Sequence, residues 1–230
     1  MLATHLLCSS KKGISSHQLH RTLGVTYKTA WFMTHRIREA MRPVDPAPFG
    51  QSGGPVEIDE TFIGTDKTKP KPKNGPAQKH KVLSLVDRST GHARSMVIDS
   101  LKSKDMVPIL KANIAREANV MTDGAAYYSP LSLTFKSHET VDHKSGEYVR
   151  SSNRSIHTNT IESFFSVFKR GMRGTYQHCG KQHLHRYLHE FDFRYCNRIK
   201  LGVDDTERAL RALKGISGKR LTYRRTGAQA

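Results

Sequence analysis

Acidic residues are scarce in this chain. Twenty Asp and Glu stand against 38 Lys and Arg, giving a formal charge of +18 with the histidines neutral. An excess of that size, spread along the whole chain, attracts polyanions, and nucleic acid is the partner it points to; a basic protein with no polyanionic partner is the plainer alternative. Cysteine is also sparse. Cys8, Cys179 and Cys196 are isolated and odd in number, and no CxxC pair occurs, so neither a disulfide framework nor a cysteine zinc site is supported and a reduced cytoplasmic setting is expected. No apolar run approaches the roughly 18 residues that span a bilayer. The opening "MLATHLLCSS" is too short for a signal peptide, and no membrane partner is expected.

With 230 residues and ordinary aliphatic and aromatic content, the chain can bury a real core, one main domain plus a small accessory one. Residues 14 to 42, "ISSHQLHRTLGVTYKTAWFMTHRIREAMR", predict two helices about a tight turn. Gly24 is a left-handed stop, Thr26 an N-cap, and Ala30, Met33, Ile37 and Met41 mark the apolar face of the second helix, with Trp31 expected in the core. That layout fits a helix-turn-helix whose second helix enters a major groove; a packing hairpin is the plainer reading. Pro43 to Pro55 is rich in Pro and Gly and reads as a linker.

Strand patterns follow. "VEIDETFIG" alternates and stops at Gly64, a basic proline-broken loop comes next, and "KVLSLVDRSTGHARSMVID" reads as a hairpin about Ser-Thr-Gly. "SKDMVPILKANI" is an amphipathic helix interrupted or begun near Pro108, "ANVMTDG" a short strand, and "FKSHETVDHKSGEYVRSSNRSI" a long loop. Two more helices are expected, "IHTNTIESFFSVFKRG" and "KQHLHRYLHEFDFRYCNR". This order predicts an α/β fold, a mixed sheet covered by helices.

Three acids fall at the ends of these elements. Asp59 closes a strand with Glu60 beside it, Asp123 closes "NVMTD", and Glu162 sits in the first turn of a later helix. Each is a place from which a carboxylate reaches a crevice at the sheet edge. Oxygen ligands from separate elements are what two-cation phosphoryl transfer uses, and without a cation such acids would repel one another until one took up a proton. For Glu162 a second reading stands beside metal ligation: with Asn159 as N-cap, it matches the acid of a capping box. His185 and His189, four apart in "HLHRYLH", lack the acid partner of a zinc protease and read as a solvated helix face.

The segments "SSHQLHRTLGVTYKTAWFMTHRIREAM", "VEIDETFIG", "VMTDGAAYY", "HETVDHKSGEYVR", "HTNTIESFFSVFKRGMRGTY" and "HLHRYLHEFDFRYCNR" follow one another in order over most of residues 13 to 220. Together they resemble the DDE transposases of bacterial insertion sequences, in particular the ISXO-like group. The resemblance implies a ribonuclease-H-like catalytic domain over 56–200, a helix-turn-helix-like DNA-binding segment over 1–44, a linker over 45–55 and a basic C-terminal tail over 201–230. It further implies that Asp59 and Asp123 bind Mg2+ or Mn2+. The third ligand is Glu162 or Asn159, Glu162 being favoured because a carboxylate binds a hard cation better than an amide. Lys169, seven residues after Glu162 on the same helix face, would meet a DNA phosphate; Lys28, Arg36, Arg170, Arg173 and Tyr176 are further candidates for the DNA backbone, with lone surface cations as the alternative. The implied reaction is cutting at element ends and joining of the 3′-hydroxyl to target DNA, in a homodimer or larger assembly in the nucleoid of a bacterial cell. A catalytically silent DNA-binding remnant or regulator and a ribonuclease-H-like nuclease without strand transfer are the alternatives. Members of the group usually carry a cysteine-rich zinc ribbon ahead of the helix-turn-helix, and this sequence begins at "MLATHLLCSSKKG" without one, which implies a shortened element copy. Thr65 also stands where a glycine is usual.

Overall fold

The computed structural model describes residues 1–44, 46–66, 70 and 78–219. Most of the expected proline-broken basic loop, Asp45 of the linker and residues 220–230 of the tail lie outside the described residues.

Strand β1 (Pro55–Ile63) is the middle of a five-stranded sheet, flanked by β2 (His80–Asp87) and by β4 (Asn119–Asp123). β1, β2 and β3 (His92–Ile98) form an antiparallel meander, while β4 runs parallel to β1 and β5 (Ser137–Val141) parallel to β4, giving the order β3-β2-β1-β4-β5. Three antiparallel strands followed by two parallel ones is the ribonuclease-H-like arrangement the resemblance implied. The apolar run "VLSLV" of β2 fits a strand covered on both sides. Leu83 and Leu85 pack with Val56 and Ile58 under Leu110 of α4 (Ser103–Asn113) and Leu131. Val82 and Val86 pack on the other face under Phe164, Phe165 and Phe168 of α5 (Asn159–Gly171) and Leu188 and Phe191 of α6 (Lys181–Cys196).

Several expectations need correction. The long loop before α5 contains β5, an edge strand whose residues are only half-buried up to Val141, so its burial leaves no alternating apolar signature. Helix α4 runs through Pro108 from Ser103 to Asn113. The linker is packed: Phe49 is buried in the core, pairs with Ile114 and lies under the Arg94 guanidinium, 4.5 Å from its ring centre. Residues 205–214 of the expected tail form α7 (Asp205–Lys214), capped by Asp204, whose carboxylate accepts from the Glu207 N–H at 2.8 Å.

Helices α1 (Leu2–Ser9), α2 (Ser16–Leu23) and α3 (Tyr27–Ala40) share a third core with α7, built on Leu7, Leu19, Ala30, Ile37 and Ala209. The α2–α3 turn forms as its residues dictate: Ser15 and Thr26 cap the two helices, and Gly24 takes φ 65°. Trp31 is half-buried, its ring against His35 and His183.

A buried charge cluster joins this helical unit to the sheet domain. Arg38 of α3 donates from Nε to Glu190 of α6 at 2.7 Å, Arg194 meets the other carboxylate oxygen, and the Tyr176 hydroxyl donates to Glu190 as well. Tyr176 therefore points inward and is no DNA-backbone contact. Arg38 also stacks on Tyr187, 4.1 Å from the ring centre. Glu190→Ala would leave two guanidinium groups buried without their counter-charge, and a loss of about 3–5 kcal/mol is expected, read as a lowered urea midpoint.

Candidate metal centre

Asp59 and Asp123 meet because β1 and β4 are parallel neighbours, with Glu57 opposite Met121, so both aspartates lie near the same end of the sheet. Carboxyl oxygens of Asp59, Glu60 and Asp123 lie within 4.8 Å of one another. Each aspartate folds onto its own following backbone, Asp59 accepting from Glu60 N–H at 2.7 Å and Asp123 from Ala125 N–H at 3.2 Å. Glu60 is held by the two tyrosines that follow Asp123. Tyr127 donates to one carboxylate oxygen and Tyr128 to the other, at 2.8 Å for Tyr128. Burial and the charge and hydrogen bond at Glu60 raise the pKa of both phenols.

The electrostatics carry the chemistry. Burial, then the negative charges of Glu60, Asp123 and Glu162, push the Asp59 carboxyl up to about 8, against a weaker downward pull from the Glu60 N–H. Among the described residues no Lys or Arg forms a salt bridge with Asp59 or Asp123.

Glu162 lies outside the tight triplet, yet near enough that its charge is felt at Asp59. His143 Nε2 stands 3.2 Å from its Oε1, and the Thr158 hydroxyl donates to the same oxygen at 3.2 Å. The expected capping box does not form. Thr158, not Asn159, occupies the N-cap, so Glu162 falls four residues after the cap instead of three and meets the Thr158 hydroxyl. Asn159 is exposed in the first helical position. The cap comes from elsewhere: buried Glu57 of β1 accepts from the Ile161 N–H at 2.8 Å.

Lys169 is half-buried on α5, its Nζ 5.7 Å from the Phe165 ring centre. Arg170 and Arg173 are exposed farther along this segment, while Lys28 and Arg36 are exposed on α3, with Arg36 over Phe32. The cations thus come from two separate stretches of the chain, α3 and the α5 segment. His185 and His189 are half-buried, and burial lowers both their pKa values, so that face of α6 is less solvated than its polarity suggested.

Sequence reasoning had no role for Glu57, Tyr127, Tyr128 or His143. The "DGAAYY" stretch carried a signal for the tyrosines, since two adjacent phenols just after a strand-end aspartate are well placed to reach a neighbouring acid. Nothing local marks Glu57.

The sequence profile of the ISXO2-like transposase domain matches residues 51–196. No curated protein matches the chain. Among solved structures the catalytic core domain of BIV integrase is similar at 12% identity, over 70% of this chain and 97% of that one, with a TM-score of 0.37. The profile match spans well over half of the 230 residues and contains Asp59, Glu60, Asp123 and Glu162 together, and on that match the chain belongs to the ISXO2-like transposase domain family.

Proposed function

We propose that this chain is a DNA transposase that cuts phosphodiesters at the ends of an insertion sequence and joins the freed 3′-hydroxyl to target DNA. The observation that carries the reading is the meeting of Asp59, Glu60 and Asp123 where β4 ends beside the central strand, with Glu162 near enough to add its charge. These residues fit a hard divalent cation such as Mg2+ or Mn2+. The donors are carboxylate oxygens, and Asp59 is held so high that only a proton or a cation relieves the crowding. Asp59 and Asp123 would hold it, with Glu162 or Asn159 completing the set. Bound there, such cations activate the attacking water or hydroxyl and stabilise the departing oxygen.

The remaining work belongs to the protein. Tyr127 and Tyr128 fix the Glu60 carboxylate, so its charge stays aimed at Asp59 and Asp123. His143 and Thr158 hold Glu162. Lys169 positions a phosphate of the cut strand, with Arg170 and Arg173 extending the basic track, while Lys28 and Arg36 on α3 contact a second stretch of duplex. Synapsis of two element ends calls for at least a homodimer, acting in the nucleoid.

A strand-transfer assay on paired element ends tests the reading: joined product is expected in Mg2+. Nicked but unjoined DNA would make the chain a nuclease, and binding without nicking would make it a DNA-binding remnant. Lys169→Ala is expected to weaken DNA binding without regard to sequence and to lower the slope of log K against log salt by about 1, as loss of one phosphate contact requires.

A further inference from the structure

We infer that Glu57 is a positioning residue that sets the distance between the strand carboxylates and the helix carboxylate, an inference resting on the metal-centre reading above. Glu57 lies two residues before Asp59 on β1, so the two side chains share a face of the strand. Its Oε2 accepts the Ile161 N–H at 2.8 Å, and Ile161 immediately precedes Glu162. One buried carboxylate thus joins the backbone that carries Asp59 to the backbone that carries Glu162, across 104 residues of sequence.

The bond has no local substitute. No side-chain bond is made by Thr158 to the backbone of the first turn, so α5 relies on Glu57 for a donor its own residues leave unmet. The remaining oxygen makes no hydrogen bond but sits beside two basic side chains. Arg88 Nε lies 3.2 Å from Oε1 and His157 Nδ1 lies 3.4 Å from it, while Arg88 and His157 contact each other at 2.9 Å. The Arg88 guanidinium offsets the charge of a fully buried carboxylate. Glu57 is absent from the acid triplet. It acts on the centre through geometry.

The test uses Mn2+ uptake by the free protein, followed by electron paramagnetic resonance, together with nicking kinetics. Glu57→Leu keeps the volume but removes the acceptor; Mn2+ affinity and kcat are each expected to fall about 10–100-fold with KM for DNA unchanged, the usual cost of losing a residue that orients metal ligands. Glu57→Gln keeps an oxygen for the Ile161 N–H, and both quantities are expected to stay within about threefold of wild type. A purely structural role would lower the melting temperature of Glu57→Leu while leaving Mn2+ affinity at the wild-type value, which overturns the inference. Should Glu57→Leu not fold, Glu57→Asp keeps the charge on a shorter arm, and wild-type Mn2+ affinity in that variant overturns it equally. Wild-type protein that takes up no Mn2+ would overturn the metal-centre reading itself, a result distinct from unchanged affinity in the variants.

Discussion

Replacing Asp59 by asparagine is expected to abolish Mg2+-dependent nicking, a fall on the order of 10³-fold or more, and at the same time to stabilise the metal-free protein. The two effects have one cause. In the folded chain the Asp59 carboxyl is raised from 3.8 to about 8 by burial and by the charges of Glu60, Asp123 and Glu162. A group raised in this way stabilises the fold fully below its unfolded pKa, and that contribution disappears as pH rises through the folded value. Between about pH 4 and pH 8 the metal-free protein should therefore lose stability. Asp192, buried and raised to about 7, acts in the same sense, and its part of the trend should survive the Asp59 change. Asparagine carries no charge at any pH. Calorimetry at pH 8 without divalent ions should find Asp59→Asn melting above wild type by at least about 2–4 °C, the shift that 1 kcal/mol brings to a chain of this size. A variant that melts lower, or that still nicks DNA, would separate Asp59 from the chemistry.

The second large effect is the pH dependence of metal binding. Below pH 8 a cation entering the site must displace the Asp59 proton, because a carboxylate ligand binds deprotonated. Apparent Mn2+ affinity should then rise about tenfold per pH unit well below pH 8, about fiftyfold in all between pH 6 and pH 8, and level off above that range. Calorimetric titration in buffers of different ionisation enthalpy would count the proton released. Affinity independent of pH would mean that Asp59 is already ionised in the free protein.

Local chemistry made much of this fold readable in advance. The α2–turn–α3 unit followed from Gly24 and Thr26, residues whose effects act within one turn of themselves. The β2–β3 hairpin and the strand end at Asp123 followed from apolar runs broken by turn residues. What escaped was tertiary. Strand β5 borrows its partner from β4 and lies at the sheet edge among polar residues. The cap of α5 comes from Glu57, 104 residues away from Ile161, where no pattern around Asn159 and Glu162 can show it. Tyr176 looks like a surface phenol until α3 and α6 enclose Glu190 beneath it. At the site, Asp123 was legible because it closes β4. Asp59 was expected at a strand end but lies in the middle of β1, where its place opposite the end of β4 brings the two together. Glu60 joins them because two tyrosines hold its side chain in place beside Asp59.

The most direct test is a crystal of the protein soaked in Mn2+ with anomalous diffraction recorded. A peak within coordination distance of both Asp59 and Asp123 is expected, absent from Asp59→Asn crystals treated alike. Manganese bound only elsewhere, or a site left empty at saturating Mn2+ above pH 8, would contradict a metal centre where β4 ends beside the central strand.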